Sequence, residues 1–118
     1  MAEERILAAL ASSDGIVVNS HFGRAEKFYI YDIGGRSPIF LEVREVSPVC
    51  EGGNHDDRKL EENIRLIADC RYLIVTRIGD RAYELAERSG IEAYEIGDFF
   101  EDAIERLKRF IKLRELFN

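Results

Sequence analysis

The 118-residue sequence lacks several features that would place it in a specialised class of protein. Its two cysteines cannot build a disulfide framework, so we expect reduced thiols. Two prolines and no low-complexity tract give no sign of a linker, which predicts one domain over residues 1–118. No stretch approaches the roughly 20 apolar residues of a membrane span, and the apolar run at residues 6–11 is too short for a signal-peptide core. We therefore expect a soluble cytoplasmic protein.

The sequence also lacks an excess of basic charge. It contains 17 lysine and arginine residues against 23 aspartate and glutamate residues, which gives a net charge of −6. Proteins that hold nucleic acids or anionic membranes do so through basic surfaces. We therefore expect neither nucleic acid nor a membrane as a partner. The content of 46% hydrophobic and 34% charged residues is typical of a folded globular domain.

Five apolar or alternating runs predict β-strands. They are residues 6–11, 28–33, 39–46, 72–76 and 92–96. The first run has no polar residue, which indicates a central strand covered on both faces. The third run alternates from Leu41 onwards, with Leu41 and Val43 on one face and Glu42 on the other, so we expect an edge strand with one wet face. The second and third strands form a β-hairpin.

Three helices are predicted after the hairpin, separated by the last two strands. Asp56 or Asp57 can cap the first, the second begins at Asp80, and Gly97 and Asp98 open the third, where Asp98 with Glu101 resembles a capping box. With right-handed crossovers, the order β-β-β-α-β-α-β-α gives a five-stranded mixed sheet of order 3-2-1-4-5. The predicted fold class is therefore α/β, in the three-layer α/β/α arrangement of ribonuclease H-like proteins.

Two loops carry the residues best suited to bind a metal or another ligand. They are His21, Gly23 and Arg24 in the first loop, and Cys50, Gly52, Gly53 and His55 in the second. Ligands in open α/β sheets collect beyond strand ends, so we expect both loops to line one cleft. A thiolate and two imidazoles suit zinc, copper(I), iron or an iron–sulfur cluster, which makes His21, Cys50 and His55 candidate metal ligands. Glycines let the backbone approach a bulky ligand, and Arg24 can add a charge-assisted contact.

The same residues also fit simpler roles. Loop histidines are commonly solvated, loop glycines commonly serve turns, and Arg24 can be a plain surface charge. The sequence has no Cys-x-x-Cys pair, which a structural zinc site usually shows. Cys70 ends an apolar helix stripe and is predicted to fill the core.

Several motifs resemble one known family. The run Asn-Ser-His-Phe-Gly-Arg-Ala at residues 19–25, followed by Phe-Tyr-Ile-Tyr-Asp, resembles the nitrogenase iron–molybdenum cofactor biosynthesis family. This family includes NifX, NafY and the C-terminal domain of NifB. The Cys-Glu-Gly-Gly run at residues 50–53 and the Arg-Ile-Gly run at residues 77–79 are similar to the same family. The resemblance covers almost the whole chain, from about residue 6 to about residue 110.

The resemblance implies a single NifX/NifB-like, ribonuclease H-like domain that binds an iron–sulfur or iron–molybdenum-type cluster, or its precursor, without making it. His21 takes the place of the family's cluster-contacting histidine, and Cys50 stands where NifB-type relatives also carry a cysteine. The implied partners are proteins that donate and accept the cluster, and we expect a monomer or a weak homodimer. The sequence has no radical-SAM motif Cys-x-x-x-Cys-x-x-Cys, so the expected role is non-enzymatic.

Two alternatives stay open at the level of sequence. A ribonuclease H-like nuclease would hold two magnesium ions with clustered carboxylates at the centre of the sheet, and residues 6–11 contain none. An interaction or regulatory module without a metal would use the acidic surface for a partner. It would show no metal uptake and no effect of changing His21.

Overall fold

The computed structural model describes residues 5–49 and 57–117. Over these ranges the chain forms five strands, three α-helices and a 3-10 turn at Phe22–Arg24. The strands are β1 (Leu7–Ala11), β2 (Lys27–Asp32), β3 (Ile39–Glu45), β4 (Tyr72–Val75) and β5 (Glu92–Glu95), and the helices are α1 (Asp57–Leu66), α2 (Asp80–Arg88) and α3 (Phe100–Leu116). Each strand starts and ends within one residue of its predicted boundary.

The five strands form one mixed sheet in the order β3-β2-β1-β4-β5, as predicted. β1 lies at the centre, where Ala9 faces Ile30 of antiparallel β2 on one side and Leu73 of parallel β4 on the other. β3 lies at one edge and β5 at the other. The α/β class and strand order are therefore confirmed, whereas the ribonuclease H-like assignment stays a prediction.

The sheet is covered by helices on both faces. Ala9 and Ala11 of β1 belong to the core beneath α1 and α2, whereas Ala8 and Leu10 belong to the core beneath α3. All four side chains are fully buried, which explains why this strand carries no polar residue. None of the helices in the described ranges is long and apolar enough to cross a membrane.

The edge strand β3 departs from the predicted alternation. The register with β2 shifts between Ile30 and Tyr31, so that Ile30 faces Glu42 while Tyr31 faces Phe40. Leu41 is the extra residue of this β-bulge and packs against the core beneath α1 and α2. The prediction that Leu41 shares a face with Val43 is therefore wrong, because a bulge breaks the two-residue period.

β3 is also tied to the end of α1 through Arg44. Its guanidinium donates to both carboxylate oxygens of Asp69, at 2.6 and 2.9 Å, and to the carbonyl oxygen of Leu66 at 2.8 Å. The Arg44 guanidinium holds the pKa of the Asp69 carboxyl below its ordinary value of 3.8. This contact fixes the edge of the sheet against the helix layer.

The start of α3 also differs from the prediction. The helix begins at Phe100 with Phe99 as its N-cap and no side-chain cap, so the predicted capping box of Asp98 and Glu101 is wrong. Asp98 instead accepts a hydrogen bond from the adjacent Phe99 N–H at 2.8 Å. The backbone of Phe99 pairs in an antiparallel bridge with Val17. This bridge keeps Phe99 extended, so the helix begins one residue later, at Phe100.

Candidate functional site

A cleft of about 630 Å³ opens at the end of the sheet where the parallel strands β1 and β4 reach their carboxyl ends. One wall is the 3-10 turn that follows β1, and the other is the β4–α2 loop with the first turn of α2. The start of α1 closes the third side through Asp57 and Leu60. The cleft therefore lies beyond the carboxyl ends of the strands, as predicted from the topology.

His21 stands on the first wall, and its neighbour Phe22 anchors it. Phe22 is buried, with its ring centroid 5.8 Å from that of Phe28, and its backbone N–H donates to the carbonyl oxygen of Arg77 at 2.8 Å. The Thr76 N–H donates in turn to the carbonyl oxygen of Ser20 at 3.0 Å. His21 itself is exposed, and its ring makes no capping hydrogen bond to the turn. The fold therefore holds the backbone firmly and leaves the imidazole turned to the cleft.

Gly23 and Arg24 complete this wall, and Gly23 connects it to the second loop. The Gly23 carbonyl oxygen accepts a hydrogen bond from the Val49 N–H at 2.8 Å. Val49 is buried, and both Val49 and the exposed Asp57 line the cleft. The described residues on both sides of the second loop thus reach the cleft.

The other predicted site residues, Cys50, Gly52, Gly53 and His55, lie outside the described residues. Their meeting with His21 therefore stays a prediction. Among the described residues, no group of three or more histidine, cysteine, aspartate or glutamate side chains is placed to hold a metal ion. At the described part of the cleft, His21 is the one imidazole or thiol donor.

The residues of the second wall were not among the site residues predicted from the sequence, where the run at residues 77–79 was noted only for its likeness to the family. Arg77, Ile78 and Gly79 all line the cleft, as does Arg81 in the first turn of α2. Gly79 is the N-cap of α2 with no side-chain cap, so the first N–H groups of the helix have no partner within it. The available signal was the position of Arg77, two residues after the carboxyl end of the buried parallel strand β4.

Cys70 lies away from the cleft. Its side chain is 2% exposed and packs in the core beneath α1 and α2, as predicted. Burial, with the nearby Asp69 carboxylate, raises the pKa of the Cys70 thiol to about 12. Because the thiolate is the form that binds metals, this cysteine is a poor ligand in the folded protein.

Comparison with known proteins agrees with the fold and the loop motifs. The family model described as "Dinitrogenase iron-molybdenum cofactor" matches residues 4–109. FeMo cofactor biosynthesis protein NifB of Frankia alni is 34% identical over 107 residues, which cover 88% of this chain and 21% of that protein. Protein NifY of Klebsiella pneumoniae is 33% identical over 78 residues, covering 66% of this chain and 32% of NifY. The chain therefore spans a fifth to a third of the length of these relatives.

Two solved structures have the same fold. The crystal structure of PH0822 is similar with a TM-score of 0.65 and 26% identity, over 86% of this chain and 89% of PH0822. The NMR structure of the Thermotoga protein TM1290 is similar with a TM-score of 0.63 and 24% identity, over 88% of each chain. The second likeness bears on the fold alone.

Proposed function

This chain belongs to the dinitrogenase iron-molybdenum cofactor family, and from that premise we propose that it is a non-enzymatic accessory protein that binds a metallocluster. The proposed cargo is an iron–sulfur or iron–molybdenum-type cluster, or its precursor. The observation that carries the proposal is the position of His21, an exposed imidazole on the wall of a cleft of about 630 Å³. The names of the NifB and NifY relatives support a role in the biosynthesis of that cofactor.

In this proposal His21 and Cys50 ligate cluster iron directly, and His55 joins them. Imidazole and thiolate are established ligands of iron–sulfur clusters. The hydrogen bond from Val49 to Gly23 supports the pairing, because it holds the residue before Cys50 against the His21 turn.

The remaining predicted residues shape the cleft around the cluster. Gly23, Gly52 and Gly53 let the backbone approach it closely, and Arg24 offsets its negative charge. Arg24 and Gly23 line the described part of the cleft, which supports their share of the proposal.

A carrier must release its cargo as well as bind it. Few protein ligands and a surface cleft suit transient binding, because a small number of bonds has to break on transfer. The proposed partners are the proteins that donate and accept the cluster, in the cytoplasm, with the chain acting as a monomer or a weak homodimer. Nucleic acid has no part in this role.

Anaerobic reconstitution with ferrous iron and sulfide tests the proposal. After desalting, iron and sulfide per chain are measured for the wild type and for His21→Ala, Cys50→Ala and Cys70→Ala. We expect the wild type to take up a cluster, and the first two variants to lose most of it. Cys70→Ala is the matched control for Cys50→Ala and should keep full occupancy.

The outcomes separate the alternatives. A wild type that takes up no cluster contradicts the carrier function and favours an interaction module. Uptake by His21→Ala and Cys50→Ala equal to that of the wild type contradicts the assignment of the site.

A further inference from the structure

We propose that Arg77, together with Arg24, makes the cleft selective for ligands that carry net negative charge. This inference rests on the proposed function, since it names the charge of the cargo: an assembled anionic cluster rather than a free metal cation. Arg77 is then a binding residue on the second wall, and its backbone is paired with the His21 turn.

The backbone around Arg77 is held at successive positions. The Thr76 N–H donates to the carbonyl oxygen of Ser20, and the Arg77 carbonyl oxygen accepts from the Phe22 N–H. The next N–H, that of Ile78, donates to Glu95 Oε2 at 2.9 Å. The Arg77 side chain is nevertheless exposed and lines the cleft. A fixed backbone with an exposed guanidinium places a positive charge at the cleft without tying it to the protein.

The two arginines differ from most others in the chain in having no carboxylate partner. Salt bridges occupy eight arginines of the described ranges: Arg5, Arg44, Arg65, Arg81, Arg88, Arg106, Arg109 and Arg114. Within the same ranges, Arg24, Arg36, Arg71 and Arg77 form none, although the chain has more acidic than basic residues. Of these four arginines, Arg24 and Arg77 line the cleft and the other two do not. Two unpaired guanidiniums at one cleft of an acidic protein favour an anion there.

The cleft also contains negative charge, which makes the selectivity testable in both directions. Asp57 and Asp80 line it from the first turns of α1 and α2, and Arg81 adds a third guanidinium, 3.7 Å from Glu84. Because Glu84 offsets Arg81, the unpaired Arg24 and Arg77 balance the two aspartates in formal charge, and the uncapped N–H groups at the start of α2 shift the field towards positive. An anion gains from this field and a free divalent cation does not.

The test uses metal-free protein and inorganic phosphate as the probe, so that it does not depend on cluster assembly. Phosphate is titrated at low salt while the amide resonances of Gly23 and Gly79 are followed by NMR. We expect Arg77→Gln to weaken phosphate binding about fivefold, because exposed charge pairs contribute modestly. Arg77→Lys should keep most of the affinity, and Asp80→Asn should strengthen it.

Arg88→Gln is the matched control, since it removes one positive charge from the last residue of α2, which does not line the cleft. It should leave phosphate affinity unchanged. Equal phosphate affinity in Arg77→Gln and Arg88→Gln overturns the inference, and so does a phosphate titration that shifts neither cleft amide. If phosphate binding depends on Arg77 but the wild type takes up no iron–sulfur cluster, the anion selectivity stands and the proposed cargo is wrong.

Discussion

Replacing Cys70 by alanine should separate the two cysteines by function. Cys70 is 2% exposed and packs beneath α1 and α2, and its Sγ lies 3.7 Å from Asp69 Oδ1. It lines neither the cleft nor its rim. The change should therefore lower the stability of the domain and leave cluster binding unaltered.

The size of the effect follows from what the substitution removes. Burying one sulfur of about methylene size contributes about 0.8 kcal/mol by transfer. The void left behind, about 25 Å³, adds about 0.6 kcal/mol at the cavity coefficient measured for buried leucines. The free energy of unfolding should fall by about 1.5 kcal/mol, which for a domain of this length lowers the thermal midpoint by about 5 °C.

Thermal unfolding of the metal-free protein, followed by circular dichroism under reducing conditions, measures the loss of stability. Iron per folded chain after anaerobic reconstitution measures cluster binding. An unchanged thermal midpoint would show that Cys70 does not fill the core as described. A loss of cluster equal to that of Cys50→Ala would show that Cys70 also takes part in cluster binding.

Three other results are expected. Gly79→Ala should keep the thermal midpoint within about 2 °C of the wild-type value in unfolding scans. Gly79 has φ −73°, and an added Cβ meets nothing within 4 Å, so alanine fits without strain. The lower entropy of the unfolded chain then stabilises the protein by about as much as the weaker N-cap destabilises it. The Asp69 pKa is lowered in the folded state, so its stabilising contribution is present above its ordinary pKa of 3.8 and is lost as the pH falls through the lowered value. Asp69→Asn should therefore flatten the acid side of a series of urea midpoints taken from about pH 6 to about pH 3, and a slope equal to that of the wild type would contradict the Arg44 contact. With its pKa raised to about 12, the Cys70 thiol should resist alkylation by iodoacetamide near neutral pH until urea unfolds the chain, as mass spectrometry can show.

The sheet could be predicted from the sequence because a strand that is buried on both faces has only apolar residues. β1 carries only apolar residues, and the change from two-residue to helical periodicity after the hairpin fixes the connections. The bulge at Leu41 could not be predicted, since it depends on the register with Ile30 and Tyr31 of β2. The start of α3 was misplaced for a similar reason, because the bridge between Val17 and Phe99 is a contact distant in sequence.

The residues of the candidate site were likewise only partly predictable from the sequence. His21, Gly23 and Arg24 stand out in the sequence, because a histidine, a glycine and an arginine in one loop suggest chemistry. Arg77 does not stand out, because an exposed arginine after a strand has no local signal of a role. Only the pairing of its backbone with the His21 turn shows that both reach the same cleft.

The ligation of cluster iron by His21 can be tested most directly by the hyperfine coupling between the reduced cluster and a histidine nitrogen. The chain has two histidines, so a tag-free His55→Gln protein labelled with ¹⁵N-histidine contains one labelled imidazole, that of His21. After anaerobic reconstitution and reduction, electron–nuclear double resonance should detect ¹⁵N coupling of the strength expected for a directly bound imidazole. A paramagnetic cluster that shows no ¹⁵N coupling in this protein would contradict the account.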